Sequence, residues 1–128
     1  MIRIWLCTGA IYGLVAVMLG AFGAHGLRAR LTEDMLRAWQ TGVEYQFYHA
    51  FAVLLTGLLL NTGQLSATLG HWAAGCFVVG VLLFSGSLYG LALGGPRLLG
   101  PVTPIGGLLL MVGWLCLVAS VLRSGPNA

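Results

Sequence analysis

Glu44, Tyr45, Gln46, Tyr48 and His49 crowd into one stretch, Gln40–Phe51, that is otherwise apolar enough to enter a membrane. A carboxylate and an imidazole can move protons or bind a cation. In hydrocarbon both are expensive, so each is expected to have a structural partner or a task. The spacing narrows the chemistry. Glu44 and His49 are five apart and so are offset around a helix, which opposes an acid/base pair. A haem between His25 and His49 is opposed by their depths, which differ by about 9 Å at the helical rise. There is no phosphate-binding loop, no His-Glu-x-x-His and no Gly-x-Ser-x-Gly. Cys7, Cys76 and Cys116 lie in apolar segments without a Cys-x-x-Cys pair. They read as small hydrophobes rather than zinc ligands or a redox dithiol. The expectation is no metal, no cofactor and no enzyme.

The rest of the chain must hold these residues in a bilayer. Of 128 residues, 59% are hydrophobic and 7% charged, where soluble domains carry about 25% charged residues. A water-facing surface cannot be built from three acids and six arginines. The length allows one small membrane domain, all-α, with lipids as its first partners. The net charge of +3 comes from scattered arginines, with no run to follow phosphates, so no nucleic-acid partner is expected.

Four segments approach the ~20 apolar residues a span requires: residues 4–24, 43–60, 71–93 and 104–122. The first exceeds the ~7–15 residue apolar core of a signal peptide and is expected to be retained. Residues 61–70 and 94–101 read as turns, and Thr103-Pro104 as a helix cap followed by proline. Between spans one and two, Leu27, Leu31, Met35, Trp39 and Val43 recur every four residues, with Leu36 beside them. Thr32, Glu33 and Asp34 make a helix start, and Arg37 can pair with Glu33 or Asp34. This segment reads as an amphipathic interfacial helix leading into span two, or else as one long helix from Thr32 to Leu60. The resulting architecture is a membrane-embedded four-helix bundle. Arg28, Arg30, Arg37 and Arg97 lie on one side, Arg3 and Arg123 on the other. The positive-inside rule then places both termini outside the cytoplasm.

Depth along the spans reveals an asymmetry. His49 lies about 9 Å inward from Val43, and Tyr89 about 6 Å inward from Leu93. His25, Gln40, Glu44, Tyr45, Gln46, Tyr48, His49, Ser85, Ser87, Tyr89, Arg97 and Thr103 therefore gather in one half of the bundle. They form either a polar pocket or structural glue. Glu44 is expected to pair with Arg97 or His25. Twenty glycines point to close helix packing, through Gly9 and Gly13, through Gly86, Gly90 and Gly94, and through Gly106, Gly107 and Gly113. The Gly86 stripe could instead serve a homodimer.

Four blocks resemble one family. They are Gly20-Ala-Phe-Gly-Ala-His-Gly-Leu27, Trp39-Gln-Thr-Gly-Val-Glu-Tyr-Gln-Phe-Tyr-His-Ala50, Phe84-Ser-Gly-Ser-Leu-Tyr89 and Gly100-Pro-Val-Thr-Pro-Ile-Gly-Gly107. In order and separation they resemble domain-of-unknown-function family 423, the YgdD- and YwdK-like inner-membrane proteins of bacteria. Eukaryotic transmembrane protein 256 is similar. The resemblance implies a multi-pass protein of the bacterial inner-membrane type without an established activity. Two functions are open. One is a non-enzymatic accessory or assembly partner, as a homo-oligomer or in a larger membrane complex. The other is a lipid-, quinone- or small-molecule-binding protein or small transporter using the polar half. An enzyme of lipid metabolism is the weakest reading.

Overall fold

A computed structural model describes residues 2–124. The described residues form four helices, α1 (Ile2–His25), α2 (Glu33–Asn61), α3 (Ala67–Ala92) and α4 (Leu99–Arg123). Each is long and apolar enough to cross a membrane, and there is no strand among the described residues.

Local chemistry sets the boundaries. The Thr32 hydroxyl accepts from the Met35 amide at 3.2 Å and caps α2. Arg37 meets Asp34 at 3.6 Å, both exposed, rather than Glu33. A separate interfacial helix is not found: α2 runs unbroken from Glu33 to Asn61, so the long-helix alternative holds. Gly42 is no breaker here. A Cβ on it would lie 2.7 Å from the Tyr89 ring, so it is glycine because α3 comes close.

The expected turns are shorter in the structure. α3 begins at Ala67 rather than His71, and Gly94, with φ +87°, turns the chain after α3. Such a left-handed backbone suits glycine. α4 begins at Leu99, before Pro104. Pro101 falls in the first turn, where amide hydrogens lack intrahelical acceptors, and Pro104 lies inside the helix. Thr103 therefore caps nothing. Its hydroxyl sits 2.5 Å from that of Ser87.

Space follows sequence order: α1 packs on α2, α2 on α3 and α3 on α4. α1 and α4 do not pack on one another among the described residues. α2 and α3 are the inner pair, and the core between them and α4 holds Ala52, Val53, Phe77, Val81, Leu110 and Leu117. A second core gathers Leu27, Trp39 and Ala92, with Leu31, Leu36 and Val43 packed on it. The apolar stripe, which runs from the α1–α2 connection into α2, thus lies against α1 and α3.

The glycines that matter are partly different ones. A Cβ on Gly9 would meet Leu54 at 2.8 Å, and one on Gly90 would meet only the flexible tip of Leu99, at 2.5 Å. Gly106 faces the backbone of Phe84, whereas Gly107 makes only ordinary contact with the Phe84 ring. Gly13 and Gly86 face open space, as does Gly94, whose role is the turn. Gly113 packs against Phe77, and close approach also uses Gly23 against Trp39 and Gly80 against Leu110.

Candidate functional site

α2 decides which polar groups turn inward. Gly42, Gln46, His49, Ala50 and Val53 are buried, at the three- and four-residue spacing of one helix face. Glu44 is two residues from both Gly42 and Gln46, about 200° around the helix from each. It therefore points outward.

The inward groups bind one another. Gln46, 4% exposed, donates its amide hydrogen to the Tyr12 carbonyl of α1 at 2.9 Å. Its amide oxygen accepts from the Tyr89 hydroxyl of α3 at 2.7 Å. Tyr12 in turn donates to the Val78 carbonyl at 2.9 Å. The Ser85 hydroxyl donates to the Gly42 carbonyl at 2.7 Å. The Trp39 indole donates to the Leu19 carbonyl at 2.9 Å, and its ring lies 4.8 Å from that of Tyr89. Ser87 donates to Phe84 at 2.9 Å and accepts from Thr103, whose own contact to Leu99 is long at 3.4 Å.

His49, 5% exposed, is fully used. Its Nδ1 lies 2.7 Å from the Tyr45 carbonyl, and its Nε2 lies 3.1 Å from the Trp114 indole N–H of α4. A carbonyl only accepts and an indole N–H only donates. The neutral ring with its hydrogen on Nδ1 satisfies both. Neither nitrogen is free for a metal or a substrate proton. No buried side-chain nitrogen or oxygen among the described residues lacks a partner.

The other expected members lie outside this network. His25, Gln40, Glu44, Tyr45, Tyr48 and Arg97 are exposed. The expected pairing of Glu44 with Arg97 or His25 does not form, because the buried face of α2 turns the carboxylate away from the bundle. The sole ion pair among the described residues is Arg37–Asp34. Glu44 instead stands at a shallow groove of about 440 Å³ on the lipid-facing surface. Ala16, Val17, Gly20 and Ala21 of α1 line it, with Val43, Phe47 and Tyr48 of α2.

Tyr12, Trp39 and Trp114 are the members of the network not anticipated from sequence. The available signal was an aromatic ring with a polar tip within a span, a type that usually finds a hydrogen-bond partner when buried. At the opposite end, the Trp5 indole donates to Nδ1 of His71, a residue of α3, at 2.8 Å.

The Gln46–Tyr89 link supports a first prediction. Tyr89→Phe and Gln46→Leu should each lower bundle stability, by about 0.5–1.5 kcal/mol for the lost hydrogen bond. The double variant should fall short of their sum by about 0.6 kcal/mol, the usual size of an interhelical hydrogen bond in lipid. Unfolding in mixed micelles measures all three. Strict additivity would show that the link carries no energy.

Comparison with known proteins agrees with this architecture. A UPF0382 membrane protein of Staphylococcus epidermidis is 40% identical over 121 residues, 94% of this chain and 97% of the relative. The UPF0382 membrane protein YwdK of Bacillus subtilis is 37% identical over 123 residues, 94% and 98% of the two chains. No solved structure matches. The family described as protein of unknown function (DUF423) matches residues 19–107, the stretch that contains Gln46, His49, Tyr89 and Glu44. With four membrane-crossing helices and relatives matched over nearly their whole length, the chain is a multi-pass membrane protein that belongs to the DUF423, or UPF0382, family.

Proposed function

We propose that this protein is a non-enzymatic accessory or assembly partner in the bacterial inner membrane, acting through its lipid-facing surface. The observation that carries this reading is the closed hydrogen-bond inventory inside the bundle. The polar half, expected to be pocket or glue, has the properties of glue. Gln46, Tyr89, Ser85 and His49 serve one another or the backbone, which leaves no inward polar group for a substrate. Glu44 and His49 face opposite ways, which speaks against shared acid/base work. The surface is where capacity remains: α1 is mostly exposed, and α1 and α4 stay apart.

Native mass spectrometry of the tagged chain, extracted from its own membranes in mild detergent, tests the proposal. A second membrane protein, or further copies, at fixed stoichiometry is the expected result. A lone monomer at every detergent strength would exclude it. The orientation follows from Arg28, Arg30, Arg37 and Arg97 at one end against Arg3 and Arg123 at the other. Alkaline phosphatase fused after Arg123 is expected to be active, and fused between α3 and α4 inactive. The reverse pattern would invert the topology.

A further inference from the structure

Trp5 ties the first turns of α1 to two helices at once. A Cβ on Gly57 of α2 would lie 3.4 Å from the Trp5 Cβ, and one on Gly75 of α3 would lie 3.9 Å from the far edge of its ring. The indole then donates to His71 Nδ1 at 2.8 Å. An indole N–H only donates, so this contact fixes the protonation of its partner. Nδ1 must be bare, and the neutral ring carries its hydrogen on Nε2. A second proton would have to enter at Nδ1, where it meets the indole hydrogen head-on. Cation–π attraction is no substitute, because the indole presents its N–H edge, the positive rim, rather than its face. Protons can reach this ring. His71 lies about 6 Å into α3 from Ala67 at the helical rise. It is half-buried and lines a shallow surface pocket of about 380 Å³ with Thr68, Trp72 and Gly75. His49 also accepts from an indole, but it is 5% exposed and enclosed by the rings of Tyr45, Phe77 and Trp114.

No carboxylate stands ready to stabilise a charged His71. Glu33, Asp34 and Glu44 all lie in the first half of α2, toward its other end. Among the described residues, the charged groups at this end are Arg3 of α1 and Arg123 of α4, both exposed cations. The thiols Cys7 of α1 and Cys76 of α3 complete the titratable side chains of the neighbouring turns, and α2 brings none beyond His49. We propose that the Trp5–His71 bond is an acid-released latch, which holds the N-terminal end of α1 against α3 while the imidazole is neutral and frees it when the imidazole is protonated. The sign follows from counting protons. The latched ring holds one proton fewer than the released, charged ring. The latch therefore strengthens as pH rises and fails as pH falls through the range, about pH 8 to 5, in which imidazoles take charge. The release is local, because Gly9 stays pressed on Leu54 of α2. Only the first two turns of α1 loosen, and they uncover a smooth surface at Gly57 and Gly75.

The test is NMR of the full chain in micelles, with the Trp5 indole N–H signal assigned through Trp5→Phe. That signal should move in step with the His71 ring between about pH 7.5 and about pH 5.5. Over the same interval, amide exchange at Leu6 to Gly9, corrected for its intrinsic pH dependence, should accelerate about fivefold, the worth of one ordinary hydrogen bond. His71→Asn keeps an acceptor near the place of Nδ1 but cannot titrate, so exchange should stay slow at both pH values. Trp5→Phe removes the donor, so exchange should be fast at both. An indole signal that ignores pH overturns the proposal. A fivefold acceleration that persists in His71→Asn or in Trp5→Phe overturns it too, and assigns the pH response to another group. None of these outcomes bears on whether a stoichiometric partner copurifies.

Discussion

Gly106→Leu is expected to be one of the two most damaging single substitutions in this protein. A Cβ on Gly106 would overlap the backbone nitrogen of Phe84 and lie 2.8 Å from the Leu83 carbonyl carbon. Those atoms are main chain, so relief requires moving α3 itself. The neighbouring contacts are equally tight: Gly80 against Leu110 at 2.7 Å and Gly113 against Phe77 at 2.7 Å. In lipid this interlock is itself the adhesive, since apolar burial distinguishes helix from lipid only weakly. The loss should reach about 3 kcal/mol, the upper end for overpacking, and even Gly106→Ala should be felt. Gly86→Ala, facing open space, should stay within about 0.5 kcal/mol. Gly90→Leu should fall between them, because it displaces only the side-chain tip of Leu99. Thermal melting in detergent and membrane yield report the ranking. A native-like Gly106→Leu would remove the close-packing account of α3 and α4.

Trp39→Ala is the second large effect. The ring is 3% exposed, fills the space left by Gly23, and lies against Tyr89. Its indole also donates to the Leu19 carbonyl. Truncating a buried tryptophan typically destabilises by about 3–5 kcal/mol. Trp39→Phe keeps most of the ring and loses the hydrogen bond, for about 1 kcal/mol. The loss should be local first. Amide exchange should rise over Leu27, Leu31 and Leu36, which belong to the same cluster, before it rises in the Val53–Phe77 core. Uniform exchange across both cores would contradict that division.

Much of the fold was legible from the residues. Four apolar runs became four helices, Thr32 capped α2, and Arg37 found Asp34. Hydropathy carries that information well because every spanning segment must bury its backbone polar groups. Which way a helix faces is harder. Both sides of a spanning helix are apolar, so the amphipathic signal that orients a soluble helix is faint. In α2 the orientation is written in Gly42, Gln46, His49 and Val53, and that stripe is what sends Glu44 outward. Of the polar groups gathered in that half of the bundle, Gln46, His49, Ser85 and Ser87 are buried, whereas Glu44, Tyr45 and Tyr48 are exposed. Glycine spacing has the same weakness. It reports a smooth face, and only the neighbour's shape decides whether anything is pressed against it, as with open Gly86 and crowded Gly106. Pro104 reads as a start because proline suits first turns, but Pro101 already occupies one.

The order of packing has a consequence for biosynthesis. Each helix rests chiefly on the one made just before it, α2 on α1, α3 on α2 and α4 on α3. Contacts between sequence neighbours close quickly, because little chain must be ordered between them. During synthesis, therefore, no segment has to wait in the bilayer for a distant mate. The Trp5–His71, Tyr12–Val78 and His49–Trp114 bonds, which skip a helix, are the stitches that follow. The chain can be assembled from its N-terminus as a growing stack, with α4 seated last on a surface already in place.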